Sequence, residues 1–243
     1  MAERLRPEHH NLKGGLIAIG IMAIWAVSLI SLLVSDMSSW PWWSIPMAIF
    51  WQMMLYTGLF ITAHDAMHRT VTPGFPRIND AIGRLAVGLY ALFSYRRVRR
   101  SHWGHHDHPV SDADPDFHGQ DGGGPARWYL GFMVEYLSLI QLLGMAVVFN
   151  LLQHLAGIAV VNLMVFWVLP AVLSTVQLFY FGTYLPHREP GEGYEEPHRA
   201  TSSDYPTWLS FLTCYHFGYH REHHERPDLP WWRLPTYRQQ HQH

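Results

Sequence analysis

Four apolar stretches, 14–35, 42–63, 128–149 and 157–181, are each long enough to cross a bilayer as a helix, which takes about 20 residues. Within hydrocarbon every backbone polar group must find its partner inside its own segment, so runs of this kind are read as transmembrane helices. The predicted fold is an all-α integral membrane protein: one domain over 1–243, with four spans in two hairpins and a cytoplasmic histidine-rich helical cap formed by 64–127 and 182–243. The first run follows Arg4, Arg6 and Lys13, as the core of a signal peptide would. Its apolar core is too long for one and no small-residue cleavage site follows, so it is read as a retained helix. Pro170 is expected to kink the fourth span. Glu135, in the third, is costly in lipid and is expected to face the bundle or the interface.

Basic residues orient the spans. Residues 1–13 hold three Lys/Arg, 64–127 hold eight and 182–243 hold six, together all 17 in the chain, so the connections 36–41 and 150–156 hold none. By the positive-inside tendency the N-terminus, the long loop and the C-terminal segment are cytoplasmic. A fifth apolar piece, 81–95, has helical spacing but is short for a span and contains Arg84, so it is read as a helix along the cytoplasmic interface. The segment 119–126 is read as a flexible linker. A formal net charge of −2 argues against nucleic acid as a partner, and the single cysteine, Cys214, excludes an internal disulfide.

With sidedness set, the 18 histidines can be sorted. His64 and His68 directly follow the second span and lie one helical turn apart. His102, His105 and His106 form H-x-x-H-H, a box repeated by His220, His223 and His224, and offsets of three and four residues share a helical face. His187 follows the fourth span. All nine fall on the predicted cytoplasmic side, by an argument that never used them. Any one of these patterns arises readily by chance; together they point to metal ligation. Structural zinc takes four ligands, usually with cysteine, and catalytic zinc three, so eight or nine imidazoles exceed one zinc. Calcium and magnesium prefer oxygen, whereas imidazole suits iron, copper, nickel and zinc. Two irons with four or five neutral histidines each would use the whole set.

A metal-bound histidine donates its second N–H to a carboxylate or carbonyl, and Asp65, Asp112, Asp114, Asp116 and Glu222 are near enough in sequence to accept. Of these, Asp65, Asp114, Asp116 and Glu222 are taken as the supporting set. "SDADPD" is also simply turn-like. His108, His118 and His216 are weaker candidates, and His9, His10, His154, His198, His241 and His243 are read as bystanders.

"HDAMH", "HWGHHDHP", "DADPDFH", "FGTYLPHR" and "HFGYHREHH" resemble the motifs of bacterial carotenoid 4-ketolases, within the membrane fatty-acid-desaturase-like superfamily. The resemblance runs from about residue 60 to the C-terminus. It implies a di-iron enzyme of the bacterial inner membrane that uses O2 and an external electron donor such as reduced ferredoxin. The implied substrate is β-carotene drawn from the lipid, oxidised at ring C4 by two hydroxylations and loss of water to give echinenone and canthaxanthin, or astaxanthin from a hydroxylated precursor. Two competitors are a carotenoid hydroxylase or lipid desaturase of the same superfamily, and a His-rich membrane metal transporter. Transporters place polar ligands within the spans, where this sequence carries none of its clustered histidines.

Overall fold

The computed structural model describes residues 12–119 and 124–241; Arg4, Arg6, His9, His10, His243 and the centre of the expected linker lie outside them. The described residues form helices without strands. They are α1 (Lys13–Leu33), α2 (Ser44–Met67), α3 (Pro76–Ala91), α4 (Tyr95–Asp107), α5 (Gly124–Tyr136), α6 (Leu139–His154), α7 (Val160–His187), α8 (Thr207–Cys214), α9 (His220–Glu225) and α10 (Leu234–His241). Three of them, α1, α2 and α7, are long and apolar enough to cross a membrane by themselves.

On α1, Gly14, Ala18, Met22, Trp25, Leu29 and Leu33 are buried at intervals of three or four residues, while Leu16, Ile19, Val27 and Ile30 point outward. One stripe thus faces protein, and the rest of a wholly apolar helix is left for lipid. The ends of the helices fix their directions. Asn162, at the start of α7, donates its amide to the carbonyls of Leu32, Leu33 and Ser35 at 3.2, 3.0 and 2.8 Å, satisfying groups that the last turn of α1 leaves unpaired. At the other end, Gly14 lies against Val71, just beyond α2: a Cβ on Gly14 would sit 2.4 Å from the Val71 carbonyl oxygen. So α2 and α7 run together, opposite to α1, and their C-terminal ends arrive side by side.

Between the spans, buried hydroxyl and amide groups hydrogen-bond across helices. Thr57 (α2) meets Ser174 (α7) at 2.9 Å, Tyr90 (α3) donates to Ser174 at 3.0 Å, and Gln177 (α7) donates to the Thr213 carbonyl (α8) at 2.7 Å. In an apolar surround such bonds hold register, because the alternative is an unsatisfied polar group. The expected interfacial helix is α3. It begins earlier than predicted, with Pro76 in its first turn, and ends at Leu92, whose φ of 56° is left-handed. Its buried face, Asn79, Gly83, Ala86, Val87 and Tyr90, lies along α2, and Asn79 donates to the Ala66 carbonyl at 2.7 Å.

One expectation needs correction. The stretch 128–149 is not one straight span: α5 and α6 meet at 86°. The break follows from local chemistry. Ser138 is extended (φ −130°, ψ 150°) and caps α6 by accepting from the Gln141 N–H, while Arg97 takes the Glu135 carbonyl that would otherwise continue α5. Glu135 is half-buried beside this bend. In α7, Pro170 produces no break. The helix widens into a π segment at Leu163–Val168, and again at Tyr180–Tyr184, each ending two residues before a proline, Pro170 or Pro186. A proline ring collides with the carbonyl four residues back and cannot donate to it; a wider turn moves that carbonyl aside.

Candidate metal centre

Helices α2, α4, α7 and α9 deliver nine imidazoles to one end of the bundle. His64 and His68 come from the last turn of α2, His102, His105 and His106 from α4, His187 from the end of α7, and His220, His223 and His224 from α9. They form two groups able to hold a metal ion: His64, His68, His102, His106 and His223, and His105, His187, His220 and His224. Within each group the candidate ligand atoms all lie within 4.8 Å of one another. These are the nine histidines singled out by the sequence, and no others join them among the described residues.

The partition is not by box. On α4, His102 and His106 lie one turn apart and face the first group, while His105 points to the second. On α9, His220 and His224 serve the second group and His223 crosses to the first. Adjacent residues on a helix point about 100° apart, so each H-x-x-H-H box spans two centres instead of sharing one face as expected. The two boxes exchange one imidazole each, which locks α4 and α9 together.

Nitrogen separations test whether a metal fits. His68 and His102 bring their Nε2 atoms to 2.6 Å, His106 and His223 to 3.0 Å, His105 and His224 to 3.2 Å, and His220 and His224 to 3.1 Å. Adjacent ligands at right angles, each about 2.0–2.1 Å from a metal, would be about 2.9 Å apart. Second nitrogens agree with this reading. The His105 Nδ1 lies 3.0 Å from both Asp114 carboxylate oxygens, and the His187 Nδ1 lies 3.0 Å from the Arg199 carbonyl. An N–H donated in each case leaves the Nε2 lone pair turned into the group. The buried Nε2 atoms of His64 and His187 have no hydrogen-bond partner among the described residues. Burial also holds His102, His220, His223 and His224 below the ordinary imidazole range and pushes His106 down to about 2, keeping the rings neutral.

The carboxylates do different things. Asp114 is the best-supported of the predicted set: besides His105 it accepts the backbone N–H of Val110 at 2.9 Å and of Asp116 at 2.8 Å, so the turn is built around it. Asp116 accepts the Tyr136 hydroxyl, and burial raises its carboxyl to about 6. Asp65 lies 3.6 Å from the His64 Nδ1, too long for a hydrogen bond, and accepts the Trp231 N–H at 3.2 Å. Glu222 turns away from the imidazoles to Ser202 and Arg238, tying α9 to the segment after α7 and to α10. Asp112 is exposed on the turn. His108, His118, His154 and His241 are exposed, and His216 stacks on Trp231 and Tyr219 away from both groups. His198, read as a bystander, comes within 6.0 Å of the His224 ring without joining its group. Sequence reasoning missed Phe217, whose ring packs on His64, His220 and His223, and Tyr136; Phe217 lies within "HFGYHREHH" but was passed over as apolar, and Tyr136 lies in no motif.

A narrow cavity of about 60 Å³ reaches both groups. His64, His102, His105 and His220 form its inner end, and Phe60, Phe93, Phe132, Leu178 and Phe217 supply apolar walls. Its lining suits the apolar end of a ligand brought up to the imidazoles, with the aromatic side chains moving apart to admit it.

Comparison with known proteins adds the lineage. The sequence profile of the fatty acid desaturase family matches residues 40–144 and 136–243. The chain belongs to that family. Among its relatives, a "Beta-carotene ketolase" of Paracoccus sp. is 44% identical over 223 residues, covering 90% of this chain and 89% of that one. A "Beta-carotene ketolase" of a second Paracoccus strain is 46% identical over 76% of this chain and 75% of its own length. A "Zeaxanthin 4-ketolase" of Chlamydomonas reinhardtii is 42% identical over 96% of this chain and 55% of that longer protein.

Proposed function

We propose that the protein is a carotenoid 4-ketolase: an O2-dependent membrane oxygenase that converts the ring C4 methylene of β-carotene and related carotenoids to a ketone, giving echinenone and canthaxanthin, or astaxanthin from a hydroxylated precursor. The observation that carries this reading is an apolar cavity ending on two groups of largely buried imidazoles, each able to hold a metal ion, in a chain that has ketolases among its relatives over nine-tenths of its length. The nine histidines would hold two irons, five imidazoles on one and four on the other. Iron held so would supply, with O2, the oxidising power needed to hydroxylate the allylic ring methylene.

The chain's own residues do the rest. Asp114 and the Arg199 carbonyl fix the tautomers of His105 and His187. Phe217 and the aromatic wall hold the ring end and exclude water from it. Two successive hydroxylations at one carbon give a geminal diol, which loses water to the ketone. Each hydroxylation consumes one O2, two protons and two electrons, with water as the second product, and the electrons come from an external carrier such as reduced ferredoxin. The helix ends bearing the histidines, and with them both termini, are assigned to the cytoplasmic side of the inner membrane. The bent α5–α6 pair makes the remaining crossing.

Expression in cells that accumulate β-carotene, followed by pigment analysis, tests the assignment. Ketocarotenoid should appear. An alcohol alone would make the protein a hydroxylase, a new alkene a desaturase, and zinc without any product a metal-handling protein.

A further inference from the structure

A site of electron entry rests on the ketolase reading, in which R2CH2 + O2 + 2 e− + 2 H+ gives R2CHOH + H2O and the substrate does not supply those electrons. Seven of the nine histidines are buried; His68 and His106, both in the five-histidine group, are half-buried. Both touch the same residue. Trp103 places its ring 5.0 Å from that of His68 and 5.7 Å from that of His106, and its Nε1 donates to the Met67 carbonyl at 3.3 Å, at the end of α2. Yet 36% of Trp103 is exposed, so this indole has one edge on the ligands and another at the surface.

What surrounds it is basic. Arg100, Arg99 and Arg96 precede Trp103 by three, four and seven residues and share its face of α4, and Arg69 follows His68 where α2 ends. Arg69, Arg96 and Arg100 are exposed, while Arg99 approaches Asp80 at 3.5 Å. Asp107, one turn beyond Trp103, is the acidic group on the same face. The inward residues of α4, Tyr95 and Val98, are its only large buried apolar side chains, and its outer face offers lipid nothing apolar but Trp103.

We propose that this face, with Trp103 following Arg96 and Arg100 on α4 and Arg69 beside His68, docks an acidic one-electron carrier protein, with the Trp103 ring as the contact through which electrons tunnel to the five-histidine group. Arginine steers and orients an acidic partner, and a tryptophan at the centre of such a patch is the usual anchor. Trp103 is neither oxidised nor reduced in the transfer; it closes the gap between partner and ligands. A basic face of this kind could equally seat on anionic phospholipid headgroups; the exposed indole against two candidate ligands favours the carrier.

The test uses the full chain in nanodiscs of neutral phosphatidylcholine, with oxidised plant-type ferredoxin as the probe. Binding is measured directly, so the readout does not depend on turnover. The double variant Arg96→Glu/Arg100→Glu should weaken ferredoxin binding at low salt by roughly tenfold or more, and the difference should shrink as salt is raised. Trp103→Leu should keep its iron and be reduced by dithionite at the wild-type rate while ferredoxin-driven reduction slows. Wild-type ferredoxin affinity in the double variant overturns the proposal. So does loss of binding only to phosphatidylglycerol vesicles, which would make the face a membrane seat. Ferredoxin binding that follows these expectations in a protein forming no ketone would sink the ketolase reading and leave the docking face standing.

Discussion

The least conspicuous histidine makes the sharpest residue-scale test. His187 belongs to no box, yet it is almost fully buried, gives its Nδ1 to the Arg199 carbonyl and keeps an unpartnered Nε2 within a group of four. His187→Ala should abolish ketone formation and lower bound iron, read by metal analysis of purified protein. His198→Ala, though its ring comes within 6.0 Å of His224, should keep both; loss of iron there would add a tenth ligand. Asp114→Asn probes the support of His105. An amide can present its N–H to the Nδ1 and favour the wrong tautomer, so metal affinity should fall about 10- to 100-fold, seen in competition with a chelator; unchanged affinity would reduce Asp114 to a turn-former. Eight of the nine candidate ligands were legible in the sequence through i, i+3 and i+4 spacing of imidazoles, in a chain half of whose residues are hydrophobic; His187, outside any box, was singled out by its place after the fourth span and the resemblance of its motif. Their division between two centres was not, since it depends on the angle at which α4 and α9 approach, and that is set by contacts such as Glu222 with Arg238.

At the scale of elements, helix existence was written in apolar length and helix breaks were not. The 86° bend between α5 and α6 has no proline or glycine to announce it, only Ser138 as a cap and an arginine from α4. Conversely Pro170, the obvious breaker, is absorbed by a π turn in a helix that continues to His187. The second π turn has a consequence for the site. It holds Gly182, where a Cβ would come within 2.4 Å of the Phe217 ring, and that ring packs against His64, His220 and His223. Gly182→Ala should therefore push Phe217 into the imidazoles, at about 1–3 kcal/mol of overpacking. Thermal unfolding in detergent should drop and ketone yield should fall more than expression does. Normal yield would mean that Phe217 can turn aside, and that the wall between cavity and imidazoles is soft.

For the whole molecule the open question of parity is the number of crossings, three self-sufficient helices plus one bent pair. Helix directions constrain the answer. The chain leaves the histidine-bearing end through α4 and the Asp114 turn, and Trp128 of α5 still donates to the Asp116 carbonyl at 2.7 Å there. By Asn162 it has reached the opposite end, against the last carbonyls of α1. Between those points α5 and α6 must carry it across, and the exposed Leu139, Ile140, Leu143, Val147 and Leu151 of α6 are suited to lipid along the way. With four crossings Lys13, His241 and the histidines would share one side, and the basic residues of 64–127 and 182–243 are the reason for proposing that this side is cytoplasmic. Single-cysteine labelling in intact cells checks this, helped by the full burial of the one native thiol, Cys214. Ser38→Cys, in the turn between α1 and α2, should react with an impermeant maleimide from outside. Ala113→Cys, exposed on the turn beside the imidazoles, should react only after lysis. Outside labelling at both positions would mean that α3 also crosses and returns the chain after α2, and the assignment of the histidine end to the cytoplasm would fall with it.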